Sequence, residues 1–262
     1  MAQPRMTPQD GVAWITGASS GIGAAVALEL ARRGWTVAAT ARRLDRLEEL
    51  ARASEGLPGR IVAHAGDVTD AVAMAALVET IEAVHGPVAL AFLNAGVASG
   101  AGERKPGFDL AAAETTLTVN IFGVVRALAP VMARMSKRGR GQIAVTASLV
   151  GYRGLPLSAA YGASKAAMIH LCESLREDCA RAGIVLQVVN PGFVETPMTE
   201  RNGFSMPFLM QVDAAATRIA DGFARGGFEI TFPRRLAWLL KALRILPYPI
   251  YFALMRQVAK RL

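Results

Sequence analysis

The sequence predicts an α/β fold in which helices cover both faces of a mainly parallel, doubly wound sheet, and three observations support this. Strand-like apolar runs alternate with Ala- and Leu-rich helical stretches from Val12 to Phe232. Several of these runs are apolar without alternation, which is typical of strands buried on both faces. The 262 residues are 52% hydrophobic and only 19% charged, so the chain can bury a large core.

The alternation predicts seven strands and six helices that are joined by right-handed crossovers. The predicted strands are Val12–Thr16, Thr36–Thr40, Ile61–Ala65, Val88–Leu93, Gln142–Ala147, Val185–Asn190 and Glu229–Phe232. The predicted helices are Gly21–Arg33, Leu44–Ser54, Ala71–His85, Asp109–Ser136, Ser158–Ala182 and Asp213–Arg225.

One domain is expected over residues 1–233, because α/β folds of ~250 residues form single units and no linker or repeat interrupts the pattern. Residues 196–212 break the rhythm of the sheet with Pro, Gly, Met and Phe. We interpret them as a mobile lid, with an ordinary long loop as the alternative. Residues 234–262, the tail, are expected to extend the same domain as a basic amphipathic segment.

The cysteine and histidine content argues against two classes of protein. Cys172 and Cys179 lie in one predicted helix, and with three scattered histidines they provide neither a disulfide scaffold nor metal-ligand spacing. We therefore expect two reduced core thiols. The first ten residues lack the apolar core of a signal peptide, so a cytoplasmic protein is expected.

A glycine-rich turn follows the first predicted strand directly. It reads Thr16-Gly17-Ala18-Ser19-Ser20-Gly21-Ile22-Gly23 and leads into a helix. Glycine permits a tight turn and close backbone approach, and the helix N-terminus presents free N–H groups and a positive dipole end to a phosphate. A strand, such a turn and a helix in this order predict a pyrophosphate site for a dinucleotide rather than an ordinary loop.

The residues after the second and third predicted strands indicate which dinucleotide is bound. NAD sites usually carry an acid ~20 residues after the turn, which accepts hydrogen bonds from the adenosine ribose. Here Arg42 and Arg43 stand in that place. A guanidinium holds a 2′-phosphate bidentately, so NADP(H) is predicted over NAD(H); alternatively, both arginines begin a solvated helix. Asp67 either accepts a hydrogen bond from the adenine amino group or caps a helix.

Four polar residues are candidates for the chemistry. Tyr161 and Lys165 lie four apart, so they share one face of a predicted helix. A nearby ammonium favours the phenolate, which brings a tyrosine of ordinary pKa ~10 closer to use at neutrality. Ser148 follows the fifth strand, at the edge where a ligand crevice forms, and its hydroxyl can bond a substrate oxygen. Asn120 lies in an apolar helix, as a satisfied core amide or as the holder of a proton-relay water.

In this order, the motifs resemble the classical short-chain dehydrogenase/reductase family over roughly residues 11–232. The resemblance rests on the glycine-rich turn, on Asn120 and on Ser148 with Tyr161 and Lys165. Two further motifs carry it: Asn94, Ala95 and Gly96 after the fourth strand, and Pro191 and Gly192 with Thr196 after the sixth.

This resemblance implies a Rossmann-type sheet and hydride transfer between NAD(P) and a carbonyl or alcohol carbon. It implies that Tyr161 is the acid in reduction and the base in oxidation, and that Lys165 lowers its pKa and holds the nicotinamide ribose. It further implies that Ser148 orients the substrate oxygen and Asn120 completes the proton relay. An arginine at position 42 is the family's usual mark of NADP preference. The residues expected at the cofactor are Gly17, Ser19, Ser20, Gly21, Ile22, Gly23, Arg42, Arg43, Asp67, Val68, Asn94, Ala95, Gly96, Tyr161, Lys165, Pro191, Gly192, Val194 and Thr196.

Apolar and flexible side chains are expected around the reacting carbon, which favours a small hydrophobic ketone, aldehyde or secondary alcohol. Alternatively, half of them only close the core. The usual cellular state of NADPH favours reduction. The competing function is a non-catalytic NADP(H)-binding regulator, against which the presence of both Tyr161 and Lys165 argues. The substrate candidates are Ser148, Leu149, Leu155, Phe193 and Met198, with Val150, Tyr152, Phe204, Met206, Phe208 and Met210 nearby.

The tail carries nearly all of the formal net charge of +8. Seven bases and no acid follow Glu229, which leaves 22 bases against 21 acids in the rest of the chain. With no nucleic-acid motif present, the expected partner is a membrane surface or a neighbouring subunit. Pro247 and Pro249 divide the tail, so two short amphipathic helices are expected rather than a ~20-residue span. These helices either lie in a membrane interface or pack on protein; the family resemblance also implies a homodimer or homotetramer.

Overall fold

Seven parallel strands form one sheet at the centre of the protein. The structure is a computed structural model and describes residues 5–99, 108–200 and 206–261. The strands are β1 (Val12–Thr16), β2 (Thr36–Ala41), β3 (Arg60–Ala65), β4 (Val88–Leu93), β5 (Gly141–Thr146), β6 (Ile184–Pro191) and β7 (Glu229–Phe232). Their order across the sheet is β3-β2-β1-β4-β5-β6-β7, and every neighbouring pair is parallel.

Helices cover both faces of this sheet. They are α1 (Gly21–Arg32), α2 (Leu44–Arg52), α3 (Ala71–His85), α4 (Leu110–Leu117), α5 (Val124–Arg138), α6 (Ala159–Arg181), α7 (Val212–Arg225), α8 (Arg234–Arg244) and α9 (Tyr248–Arg261). α1, α2 and α7 share one apolar core, whereas α3, α5, α6 and α8 share the other.

Neighbouring residues of one strand contribute to opposite cores. In β1, Val12 and Trp14 belong to the core with α3 and α5, while Ala13 and Ile15 belong to the core with α1 and α7. This follows from the two-residue period of a strand. Because both faces are apolar, the run shows no alternation in the sequence, and all five residues of the strand are buried.

The predicted fold class is confirmed. β1, β4 and β7 coincide with the predicted strands residue for residue, β2 and β3 differ by one residue at one end, and β5 and β6 differ by one residue at both ends. The order reverses between β1 and β4, so the loops that follow these two strands diverge to opposite sides and leave a crevice at the carboxyl edge. The two cysteines, Cys172 and Cys179, are buried and unpaired, as predicted.

The predicted helix Asp109–Ser136 is not regular along its length. Between α4 and α5, residues Thr118–Gly123 form a π-helical turn. The turn packs closely on the loop after β3, since a Cβ on Gly123 would lie 2.7 Å from Cγ2 of Val68. Inserted π-turns occur mostly at functional positions, and this one carries Asn120.

The helical run from Leu110 to Arg138 has the length and hydropathy of a membrane span. It nevertheless belongs to the core, because α5 packs on β4, β5 and α3 and the π-helical turn packs on α6. Core helices that cover a parallel sheet are apolar for the same reason as spanning helices, since both are surrounded by apolar groups.

The tail forms the two short helices α8 and α9, as expected. α8 buries Leu236, Ala237 and Leu240 against the same core as α6, and α9 buries Tyr251 and Met255. Lys241 of α8 forms an ion pair with Glu229 at the start of β7. One side of the tail therefore packs on the body of its own chain.

Candidate active site

A cavity of about 350 Å³ lies at the carboxyl edge of the sheet, at the ends of β1, β2, β4, β5 and β6. Ligands of open parallel sheets bind in this position. Of the residues predicted to contact a cofactor, all except Gly23 line this cavity. The structure thus brings together residues that are spread over some 180 positions of the sequence, from Gly17 to Thr196.

The glycine-rich turn fits tightly against the neighbouring strand end. Gly17 has φ +69°, and a Cβ there would lie 2.7 Å from Cα of Ala95. A Cβ on Gly23 would lie 2.3 Å from the carbonyl oxygen of Gly17, so this glycine keeps α1 close to β1 although it does not line the cavity. Both positions require glycine, one for conformation and one for space. The N-terminus of α1 consequently faces the cavity with its N–H groups free.

Arg42 and Arg43 lie at the same end of the cavity as this turn. Both side chains are exposed, and the guanidinium of Arg43 donates to Oγ of Ser19 at 3.0 Å and of Ser20 at 3.5 Å. α2 begins only at Leu44. Arg43 therefore contacts the glycine-rich turn and is not part of a solvated helix. The two arginines make this end of the cavity positively charged and exposed.

Asp67 lies on the floor of this end. Its Oδ1 accepts hydrogen bonds from the backbone N–H and the hydroxyl of Thr69, both at 2.9 Å. Burial raises the pKa of Asp67, but these hydrogen bonds and the charge of Arg42 outweigh it, so the pKa lies below its ordinary value. The N-cap of α3 is Asp70. Asp67 is thus an ionised acceptor in the cavity, and the helix-cap alternative is wrong.

The opposite end of the cavity holds Ser148, Tyr161 and Lys165. Nζ of Lys165 is buried, donates to the carbonyl oxygen of Thr146 at 2.9 Å and lies 5.6 Å from the centre of the Tyr161 ring. The hydroxyl of Ser148 donates to the carbonyl oxygen of Pro191 at 3.3 Å. Helical spacing and the end of β5 bring these three side chains together, as their positions in the sequence predict.

The pKa of Tyr161 differs from expectation. Burial raises it above its ordinary value, against a smaller lowering by the hydrogen bond with Ser148. Burial also lowers the pKa of Lys165 to about 8. Desolvation disfavours the charged form of both groups. Loss of solvation thus dominates the pKa of Tyr161, and the expectation that Lys165 lowers this pKa stays a prediction.

Asn120 is fully buried beside this cluster. Its Oδ1 accepts from the N–H of Val97 at 2.8 Å, and its Nδ2 donates to the carbonyl oxygen of Val97 at 2.9 Å and to Oγ of Ser164 at 3.0 Å. Both N–H donors of the amide are used, which leaves one lone pair on Oδ1. This oxygen would lie 3.2 Å from a Cβ on Gly96, a residue of the cavity wall.

Ser164 is a site residue that sequence reasoning missed. It is fully buried, and its hydroxyl accepts from Asn120 and donates to the carbonyl oxygen of Tyr161 at 2.7 Å. A serine bonded to its own helix three residues back is common, so nothing in the sequence distinguishes it. Through it, the π-helical turn is tied to the helix that carries Tyr161.

Asn94 ties three strand ends together. Its Nδ2 donates to the carbonyl oxygens of Thr16 and Gly17, both at 3.4 Å, and its Oδ1 accepts from the hydroxyl of Thr146 at 3.1 Å. The hydroxyl of Thr16 accepts from the N–H groups of Asn94 and Ala95. Thr16 and Thr146 were not predicted, although both are strand-end threonines beside predicted motifs. The edge of the crevice is thereby cross-linked between β1, β4 and β5.

The predicted substrate residues divide into two groups. Ser148 and Met198 line the cavity, and Met198 is partly exposed. Leu149 is buried in the core shared by α3, α5, α6 and α8, and the partly buried Leu155 and Phe193 pack against this core. Val150 stands in a 3₁₀ turn after Ser148. Contact of Leu149, Leu155 and Phe193 with a substrate stays a prediction.

Tyr152 does not serve as expected. It is buried, and its hydroxyl hydrogen-bonds the carboxylate of Glu229, which also accepts from Asn190 at 2.7 Å. Burial and the neighbouring carboxylate raise the pKa of Tyr152 far above its ordinary value. Tyr152 thus joins the 3₁₀ turn after Ser148 to β7 and to the ion pair between Glu229 and Lys241, and its placement around the reacting carbon is corrected.

The segment interpreted as a lid is anchored at its described ends. Val194 and Met210 form an isolated parallel bridge, and the N–H of Glu195 donates to the carbonyl oxygen of Met210 at 2.9 Å. Phe208 is exposed, and Met210 packs on the core with α1 and α7. Phe204 lies outside the described residues. Mobility of the segment stays a prediction.

Comparisons with known proteins agree with this geometry. The family model described as short chain dehydrogenase matches residues 11–204. The chain belongs to the short-chain dehydrogenase/reductase family. An uncharacterized oxidoreductase of Myxococcus xanthus is 35% identical over 246 residues, covering 94% of this chain and 96% of its own. The 3-oxoacyl-(acyl-carrier-protein) reductase FabG of Thermotoga maritima is 34% identical, over 72% of this chain and 76% of its own.

Solved structures of the family have the same fold. A short-chain dehydrogenase from Sphingobium yanoikuyae in complex with NADPH matches with a TM-score of 0.77 and 31% identity, over 88% of this chain and 91% of its own. A Burkholderia phymatum member in complex with NAD matches with a TM-score of 0.80 and 24% identity, over 90% and 94%. The protein is thus an oxidoreductase that acts between CH–OH and C=O groups with a nicotinamide cofactor.

Proposed function

We propose that this short-chain dehydrogenase/reductase transfers a hydride between NADP(H) and a hydrophobic ketone, aldehyde or secondary alcohol, with Tyr161 as the acid and base. The observation that carries the proposal is one cavity with two different ends. Ser148, Tyr161 and Lys165 meet at the inner end, and Arg42 and Arg43 stand at the outer end.

The residues of the cavity fit a phosphorylated dinucleotide. Because Gly17 has no Cβ, the turn packs directly on the backbone of Ala95. The N–H groups at the N-terminus of α1 would hold the pyrophosphate. Arg42 and Arg43 would hold a 2′-phosphate, since guanidinium groups pair bidentately with phosphate oxygens. Asp67 would accept from the adenine amino group, and Lys165 would hold the nicotinamide ribose. When bound, the cofactor supplies or accepts the hydride.

The protein's own residues move the proton. In reduction, the hydroxyl of Tyr161 donates its proton to the substrate oxygen; in oxidation, the same oxygen accepts it. The raised pKa of Tyr161 keeps this group protonated at neutral pH, which suits the acid role and hence reduction. Ser148, which contacts Tyr161, would hold the substrate oxygen through its hydroxyl.

Asn120 supports the proton transfer from its buried position beside Tyr161 and Lys165. With both N–H donors bonded to protein, it can hold a relay water only through the remaining lone pair of Oδ1. Its bond to Ser164 also holds the backbone of Tyr161 in place. We assign Asn120 both roles, relay acceptor and positioning residue.

The test is a panel of aliphatic and aromatic ketones and of secondary alcohols, each assayed with NADPH, NADH, NADP and NAD. The proposal expects reduction of hydrophobic ketones with NADPH, at kcat/KM above that with NADH. Equal efficiency with NADH would contradict the role of the two arginines. Tight NADPH binding without turnover of any compound would instead indicate a regulatory protein.

Assembly and location are part of the same proposal. α4, the π-helical turn and α5 expose Leu110, Phe122 and Val125, an apolar face that suits a homodimer or homotetramer. Light scattering coupled to gel filtration should show an oligomer that Phe122→Ser weakens and Val72→Ser, an exposed change on α3, does not. The two buried, unpaired cysteines support a cytoplasmic setting.

A further inference from the structure

The tail has two sides, and the protein covers only one. Leu236 and Leu240 of α8 are buried against the body. Trp238 and Ile245 lie seven residues apart on the opposite side, where they are 71% and 83% exposed. Large apolar side chains are seldom left so open without a partner when they stand together.

The exposed apolar residues are concentrated in this segment. Of the eighteen large apolar residues that are exposed in the described part of the chain, eight lie in the tail, which is about one ninth of the sequence. They include Trp238, Leu239, Ile245, Ile250, Phe252 and Leu254. The exposed surface of α8 and α9 is therefore rich in large apolar side chains, and we call it the outer face.

Arg153 anchors the tail to the body of the protein where α8 ends and α9 begins. Its guanidinium donates to the carbonyl oxygens of Leu243 and Arg244, at 3.4 and 2.5 Å, where α8 ends. It also lies over the rings of Tyr248 and Tyr251, at 4.9 and 4.3 Å. A cation at a helix C-terminus and above two aromatic rings is a favourable anchor. The side of the tail that carries Leu236 and Leu240 thus packs on the body of the protein, and the outer face is exposed.

The charge of the tail indicates what covers the outer face. Seven bases and no acid follow Glu229, and only Lys241 among the described bases has a carboxylate partner. The bases with exposed side chains are Arg234, Arg235, Arg244, Arg256 and Lys260. A second copy would bring the same positive charge and be repelled. The bases attract a negatively charged surface, and this attraction acts over about one Debye length.

We propose that the outer face docks this oxidoreductase on the surface of an anionic lipid bilayer. α8 and α9 have 11 and 14 residues, too few to span a ~30 Å hydrocarbon core. They match helices that lie in the interface, with apolar side chains in the acyl boundary, bases at the headgroups, and Trp and Tyr between them. The inference is independent of the cofactor and of the substrate.

The experiment is co-sedimentation of the full chain with vesicles of phosphatidylcholine alone or of phosphatidylcholine mixed with phosphatidylglycerol. The test variant is Trp238→Ser with Ile245→Ser. The matched control is Val72→Ser with Val84→Ser, two apolar side chains of α3 that are 80% and 66% exposed. Both variants change only surface positions, so both should fold, which thermal unfolding verifies.

The proposal expects binding to the anionic vesicles, which added salt weakens, and little binding to phosphatidylcholine. The partition coefficient should fall at least about tenfold in the Trp238→Ser/Ile245→Ser variant, because two apolar side chains no longer enter the interface. The Val72→Ser/Val84→Ser control should bind like the unaltered chain. Equal binding by both variants would overturn the proposal. An absence of vesicle binding would overturn it as well. If the test variant then lost an oligomer that the unaltered chain forms, a second copy would be the partner of the outer face.

Discussion

The two ends of the active-site cavity depend on different forces. At the inner end, Asn120, Ser164 and Lys165 are buried and bonded to protein groups at 2.7–3.0 Å. At the outer end, Arg42 and Arg43 are exposed, and Arg43 donates to the hydroxyl of Ser19. A buried polar network loses much when one member is removed, because its partners remain unpaired. An exposed cation contributes through charge alone, so it can be changed without disturbing the fold.

Under the proposed function, this contrast means that the inner end sets the reaction and the outer end selects the cofactor. Changes at the inner end should lower turnover with any cofactor. Changes at the outer end should alter the ratio between NADPH and NADH and leave the maximal rate nearly unchanged. The four predictions that follow test this separation.

The largest effect is expected for Tyr161→Phe. Under the proposed function, the hydroxyl of Tyr161 exchanges a proton with the substrate oxygen, and general acid catalysis of this kind contributes roughly 10²–10⁴-fold. We expect kcat to fall by at least about 100-fold, with the Kd of NADPH, measured by fluorescence titration, within about twofold of the unaltered protein. Turnover close to that of the unaltered protein would contradict the assignment of Tyr161.

The second effect concerns the outer end. Under the proposed function, Arg42 donates to the 2′-phosphate, and hydrogen bonds of such charged donors contribute roughly 1.5–3 kcal/mol, which Arg42→Ala would remove. We expect kcat/KM with NADPH to fall about 10–100-fold while kcat/KM with NADH stays nearly constant.

The control for this change is Arg52→Ala, a surface arginine at the end of α2 that does not line the cavity. It should leave both cofactors unaffected. If Arg42→Ala lowered the efficiency with NADH as strongly as with NADPH, the two ends of the cavity would not be separable in this way.

The third effect combines stability and rate at the inner end. Asn120→Ala removes the side-chain partner of the N–H and carbonyl oxygen of Val97 and the donor to Oγ of Ser164, at a cost of about 1–3 kcal/mol for an unpaired group. We expect a lower free energy of unfolding and roughly tenfold lower kcat through misplacement of Tyr161.

Gln187→Ala is the matched control, because Gln187 is also a fully buried amide, bonded to Gly222 and Gly227 away from the cavity. It should lower the free energy of unfolding by a similar amount but leave kcat per folded molecule unchanged. Equal losses of kcat in both variants would mean that Asn120 acts only through stability.

The smallest effect is a pH dependence. Burial lowers the pKa of Lys165 to about 8, so this group is charged below that pH and loses its charge above it. Tyr161, whose pKa is raised, stays protonated over the same range. The kcat/KM for reduction should therefore be level at neutral pH and fall several-fold as the pH rises through about 8. A rate that is still level at about pH 9 would show that the charge of Lys165 is not required.

Much of the fold was predictable from local patterns. The strand β1 and the glycine-rich turn after it could be placed because strand length, apolar runs and glycine spacing depend on neighbouring residues only. Tyr161 and Lys165 could be paired because helical spacing is a local property. The C-terminal ends of α2 and α5 lie two residues from their predicted positions, since helix termini depend on capping contacts.

The parts that could not be predicted depend on contacts between distant segments. The π-helical turn at Asn120, where Gly123 packs on Val68, has no periodic signal in the sequence. Ser164 and Tyr152 look ordinary in the sequence, and their partners, Asn120 and Glu229, lie 44 and 77 residues away.

Family, strand order along the chain, the glycine-rich turn and the excess of positive charge in the tail are properties of the sequence, because each depends on composition or short-range spacing. The raised pKa of Tyr161, the anchoring of the tail by Arg153 and the exposure of its outer face are properties of the folded chain. Desolvation and long-range contacts arise only when the segments pack, since each is set by how distant residues surround one another.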